Sequence, residues 1–123
     1  MKYIMVIDDS PTIRTSIQFA IKETGYPVVP ADNGRVALEK VKELKEKGDE
    51  LALVMVDVNM PEMDGITFIK HFRQEDRFTP ILVLTTESQN EKIKEGKDAG
   101  ASGWMVKPFQ QPQLLQTVQR LVR

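Results

Sequence analysis

The chain of 123 residues has no cysteine, one histidine (His71) and one tryptophan (Trp104). Without thiols there are no disulfides, no thiolate nucleophile and no cysteine-held zinc or iron, so any chemistry falls to oxygen and nitrogen groups. An excess of one charge is missing too. Seventeen Lys and Arg against 18 Asp and Glu leave a formal net charge of −1, which offers no basic footprint for nucleic acid. Long apolar runs are also absent. Asp8 interrupts the first run, MKYIMVIDD, too early for a signal peptide, and no other run approaches the roughly 20 residues that span a bilayer. These absences point to a cytoplasmic protein with neither a nucleic acid nor a membrane as partner.

An apolar share of 41% and a charged share of 28% are those of an ordinary globular chain, and 123 residues make one domain with one core. A single domain over residues 1–123 is expected, with no effector domain, internal repeat or linker. Five short β-favouring runs alternate with five helical patterns, which is how βα units around a parallel sheet read. The class is α/β. Strands are expected at residues 3–7 (YIMVI), 27–31 (PVVPA), 51–56 (LALVMV), 80–85 (PILVLT) and 103–106 (GWMV). The first, third and fourth are apolar throughout, as strands covered on both faces are.

Ser10 followed by Pro11 predicts the start of the first helix, which buries Ile13, Ile17, Ala20 and Ile21 before Gly25 stops it. The second, roughly 36–47, turns Ala37, Leu38, Val41 and Leu44 inward and leaves a solvated charge run outside. The third follows Gly65 with Ile66, Ile69 and Phe72 inward. The fourth, about 89–99, is the least apolar, and the last, 113 to about 122, carries Leu114, Leu115, Val118, Leu121 and Val122 on one stripe. His71 has no ligand spacing around it and reads as structural or exposed.

The run LALVMV asks for burial and yet ends on Asp57, a carboxylate that needs a partner once it leaves water. In an open parallel sheet, ligands bind at the carboxyl ends of the strands. There the first strand presents Asp8 and Asp9, the third Asp57, the fourth Thr85 and the fifth Lys107. If the first and third strands are neighbours, three carboxylates crowd together, and like charges that close raise each other's pKa or demand a cation. Oxygen donors with room for water suit Mg²⁺ or Mn²⁺ better than zinc, and a metal with an ammonium beside a carboxylate can stabilise a transferring phosphoryl group.

The segments VIDDS, VMVDVNMPEMDG, LVLTTES and AGASGWMVKPF, in that order across the whole chain, resemble the receiver domain of bacterial response regulators, above all the single-domain chemotaxis regulators. The resemblance implies a flavodoxin-like, doubly wound sheet of strand order 2-1-3-4-5. It implies that Asp57 accepts a phosphoryl group from a histidine kinase (CheA-like), forming 4-aspartylphosphate. Asp9 would ligate Mg²⁺ directly and Asp8 through water, with Asp57 and the backbone carbonyl of Asn59 completing the protein's share. Thr85 and Lys107 would hold phosphoryl oxygens, Thr85 and Trp104 would form the switch, and Asn59 and Glu87 would tune the lifetime of the phosphoryl group. The Lys107–Pro108 bond would be cis.

The implied output is a protein contact on the face of the fourth helix, fifth strand and fifth helix of a monomer. The target would be a flagellar motor switch protein, or else a histidine phosphotransfer protein that takes the phosphoryl group onward. A rival class, the haloacid-dehalogenase-like phosphatases, also uses a strand-end Asp with Mg²⁺ but needs a second acid two residues on. Asn59 stands there and cannot donate a catalytic proton. The expectation is therefore a signalling module, not an enzyme, catalysing only its own phosphorylation and dephosphorylation.

Overall fold

The computed structural model describes residues 1–86 and 90–122. Three apolar runs form the middle of the sheet: β1 (Lys2–Ile7), β3 (Glu50–Val56) and β4 (Ile81–Thr85). Two shorter strands flank them, β2 (Val28–Ala31) and β5 (Gly103–Val106), and all pairs are parallel in the order β2-β1-β3-β4-β5. Helices α1 (Pro11–Ala20), α2 (Gly34–Glu46), α3 (Gly65–Glu75), α4 (Asn90–Ala99) and α5 (Gln111–Leu121) cover both faces. This is the doubly wound, flavodoxin-like sheet with five helices.

Alternation along the strands splits the core in two. Met5, Ile7, Val54, Val56, Ile81 and Val83 face one way and pack with Ala37 of α2 and Phe68, Ile69 and Phe72 of α3. Ile4, Val6, Leu53, Met55, Leu82 and Leu84 face the other way, onto Ile17 and Ala20 of α1 and Leu114 and Val118 of α5. Because consecutive side chains of a strand point to opposite faces, only a strand that is apolar at every position can be covered on both.

The helix ends follow from their caps. Ser10 Oγ accepts the Ile13 N–H at 3.2 Å and Pro11 sits in the first turn, where its missing N–H costs nothing. The α-helix stops at Ala20, earlier than Gly25. Both the Thr24 N–H and its hydroxyl donate to the Ile21 carbonyl, which tightens residues 22–24 into a 3₁₀ turn before Gly25 takes φ +79°. Helix α2 starts at Gly34, ahead of Val36, because Asn33 Oδ1 accepts the Val36 N–H at 2.9 Å. Helix α5 likewise opens at Gln111, with Pro112 in its first turn.

Three expectations about burial are corrected. Ile13 of α1 is half-buried at the border of the core. Leu38, Val41 and Leu44 are only half-buried, since a groove of about 1160 Å³ separates α2 from the end of α3 beneath the amino ends of β1 and β3. Leu115 lies outside the core that holds Leu114, a helical step of roughly 100° away. At the sheet's border, Pro30 stands in β2, and the Lys40 ammonium donates to its carbonyl. Among the described residues, no helix is long and apolar enough to cross a membrane.

Candidate functional site

Sheet order decides which strand ends meet. Ile7 pairs with Val56, so Asp8 and Asp57 leave neighbouring strands side by side, and the Asp57 N–H continues the ladder to the Ile7 carbonyl at 3.0 Å. Asp9 follows Asp8. One carboxylate oxygen from each of Asp8, Asp9 and Asp57 lies within 4.8 Å of the others. Asp8 and Asp57 are 2% and 8% exposed, whereas Asp9 faces solvent, so the cluster opens outward through Asp9.

On the other side of β3, β4 ends on the buried Thr85, and the Lys107 N–H donates to the Thr85 carbonyl at 2.7 Å. The Lys107–Pro108 peptide is cis. The Lys107 ammonium lies 2.6 Å from Asp8 Oδ2 and 3.4 Å from Asp57 Oδ2. Acids 49 positions apart and a lysine 50 positions further on thus form one charge cluster.

Burial pushes the Asp57 carboxyl above its ordinary value of 3.8. Lys107 opposes that shift, Asp8 adds to it, and the Asn59 backbone N–H, donating to the carboxylate, opposes it again. The net direction is upward because one shared ammonium does not offset both dehydration and a neighbouring anion.

Two residues to which the sequence assigned no part in the site hold this cluster in place. Arg14, one turn into α1, donates from Nη1 to the Asp8 carbonyl at 2.5 Å. Gly65 packs so closely against β3 that a Cβ there would lie 2.1 Å from the Asp57 carbonyl oxygen. The loop closes because the Gly65 N–H donates to the Val58 carbonyl at 2.8 Å, and Asp64 then caps α3 by accepting the Thr67 N–H. Gly65 marked the helix start in the sequence. Its approach to Asp57 left no trace in the sequence.

Of the remaining expected site residues, Asn59 is exposed in the loop after Asp57. Trp104 is half-buried, pairs with Val83 in the sheet and packs against the α3 side of the core, on the same face as Thr85 two residues beyond Val83. His71 is exposed on α3 and lines the groove at the opposite end of the strands. Glu87 lies outside the described residues.

A 2-1-3-4-5 parallel sheet carrying an acidic cluster, a hydroxyl and an ammonium on its carboxyl edge defines a class, the receivers of phosphorylation signalling. Residues 4–119 match the response regulator receiver domain, and the chain belongs to that family, a component of two-component systems. It is a CheY-like receiver. The chain is 35% identical over 118 residues to chemotaxis protein CheY of Bacillus subtilis, covering 95% of this chain and 94% of that one. The solved structure of chemotaxis response regulator CheY4 of Vibrio cholerae superposes with a TM-score of 0.87 at 42% identity, covering 98% of both chains. The alkaline phosphatase synthesis transcriptional regulatory protein PhoP of Bacillus subtilis is 35% identical over 122 residues, which are 99% of this chain but 49% of that protein. The chain thus spans about half the length of that relative.

Proposed function

We propose that Asp57 is the phospho-acceptor of a two-component system. Its carboxylate attacks the phosphorus of a phosphohistidine on a histidine kinase (CheA-like): an O–P bond forms, the P–N bond breaks and the imidazole leaves with the electron pair. The Lys107 ammonium beside Asp57 offsets the charge that the phosphoryl oxygens bring, and the Thr85 hydroxyl supplies a further donor.

Every donor in the cluster is an oxygen, and the three carboxylates outnumber the ammonium in contact with two of them. That set fits a small hard cation, Mg²⁺ or Mn²⁺, held by Asp8, Asp9, Asp57 and the Asn59 backbone carbonyl. When bound, the ion supplies positive charge to the entering phosphoryl group.

The observation that carries this reading is the meeting of Asp57 with Asp8, Asp9 and Lys107 on one strand edge. Asn59 two residues beyond Asp57 argues against a phosphatase with a second catalytic acid. Thr85 and Trp104 then act as the switch, and Asn59 and Glu87 set how long the phosphoryl group survives water. Likeness to CheY over nearly the whole of both chains supports a monomeric chemotaxis regulator in the cytoplasm, with a flagellar motor switch protein as target. A histidine phosphotransfer protein is the second candidate.

Trp104 is the sole tryptophan, so its emission reports on this region. Acetyl phosphate with Mg²⁺, or beryllofluoride as a phosphoryl mimic, changes that emission in the native protein and leaves it unchanged in Asp57→Asn. An equal change in both proteins refutes the acceptor role. A pull-down with and without beryllofluoride then separates the two targets.

A further inference from the structure

Gly96 stands in the interior of α4, where glycine makes a helix about fivefold less favourable than alanine does. Alpha-helical preference does not explain it, and α4 is already the most polar of the five helices. The indole of Trp104 does. A Cβ on Gly96 would lie 2.6 Å from Cζ3 of the ring, 3.2 Å from Cε3 and 3.7 Å from Cη2, so the six-membered ring rests on bare backbone. Gly96 is buried under it.

If a side chain were added, either the helix or the ring would have to give. The helix is tied down at this point. The Gly96 carbonyl accepts the N–H groups of Gly100 and Ala101 at 3.2 and 2.9 Å. Arg73 of α3 donates from Nε and Nη2 to the Gly100 carbonyl at 3.0 and 2.9 Å, and from Nη1 to the Asp76 carbonyl. Cζ3, by contrast, lies at the far end of a rotatable side chain, so the ring gives way.

We propose that Gly96 is a positioning residue: its missing side chain is the seat on which the Trp104 ring rests, which ties the place of the ring to the lie of α4. The seat fixes the resting state, and a ring that leaves it uncovers α4. The link from seat to signal rests on the phospho-acceptor reading of Asp57; the seat itself does not.

Two measurements test this. In the native background, Gly96→Ala yields less than the fivefold gain in folding equilibrium constant that helix preference promises, whereas in a Trp104→Leu background it yields the full gain. The resting Gly96→Ala protein, without phosphodonor, also shows a shifted Trp104 emission maximum and altered acrylamide quenching. With Mg²⁺ present, its half-saturating beryllofluoride concentration falls by at least about threefold, because the resting state has lost its seat. The full fivefold gain in the native background with unchanged emission overturns the seat. A shifted resting emission with unchanged half-saturation overturns the coupling. If the native protein shows no beryllofluoride response, the Asp57 reading fails, and the resting-state measurements still decide the seat.

Discussion

Replacing Asp57 by asparagine stabilises the metal-free protein. At an effective dielectric constant of about 20, the ammonium of Lys107 at 3.4 Å attracts ionised Asp57 by about 5 kcal/mol. Asp8, whose carboxylate is within 4.8 Å, repels it by at least about 3.5 kcal/mol on the same scale. The surplus, at most about 1.5 kcal/mol, is set against a dehydration cost of several kcal/mol for a carboxylate that is only 8% exposed. The balance is unfavourable, which is the direction of the raised carboxyl. The amide of the variant keeps the shape of the carboxylate it replaces, and Lys107 retains Asp8 at 2.6 Å, so the substitution orphans no ammonium.

The expected gain for Asp57→Asn is about 1–2 kcal/mol at neutral pH, or roughly 3–6 °C in Tm for a chain of this size. Its pH dependence has a definite sign. The folded carboxyl holds its proton to higher pH than the unfolded one, so the native protein loses stability as pH rises from 3.8 through the folded value. The asparagine variant escapes that loss. Its advantage is absent below about pH 3.8, opens across that window and is constant above it. Urea denaturation followed by circular dichroism, in chelator at low ionic strength and at several pH values, measures it. Added Mg²⁺ raises the native protein's midpoint and reduces the difference, since a cation bound to the folded state stabilises it. A variant less stable than the native protein at neutral pH, or an advantage that grows on acidification, would refute the reasoning.

Gly65→Ala places a methyl 2.1 Å from the Asp57 carbonyl oxygen, a backbone atom that cannot swing aside, and should cost about 3 kcal/mol while weakening the beryllofluoride response; an unchanged denaturation midpoint contradicts the close approach. Asp76→Ala removes the acceptor of the Phe78 and Thr79 N–H groups and of the Thr79 hydroxyl, at a cost of about 1–2 kcal/mol at neutral pH. Burial alone would raise the Asp76 carboxyl, but the bonds from Thr79 and Phe78 and the charge of Arg73 hold it below 3.8. Its contribution is therefore present above that value and lost as pH falls through the folded one, so the cost of the substitution should fade in acid, a trend that midpoints measured at several pH values will confirm or reject.

Strands were the most legible part of the chain. Runs such as LALVMV are apolar at every position and stop at a charge, so β3, β4 and β5 lie within a residue of where composition puts them. Strand order was another matter. No periodicity says that β1 lies between β2 and β3, and that arrangement came from the family resemblance alone. The helix starts at Asn33 and Gln110 were misjudged by two residues, because a cap is decided by a single hydrogen bond or a tolerated proline rather than by the apolar stripe. Among residues around the site, those with side chains of evident chemistry could be named from the sequence. Arg14 and Gly65 could not, since one acts through a carbonyl and the other through lack of bulk. Gly96 is similar: a glycine inside a helix is visible, but the ring that lies over it arrives from β5.

Any sheet with free borders risks recruiting a neighbour's strand. The β2 border is guarded: Pro30 has no hydrogen to offer, the ammonium of Lys40 occupies the oxygen of the same residue, and four residues make a poor template for a fibril. On that side, at least, the chain can be crowded against copies of itself without seeding their aggregation.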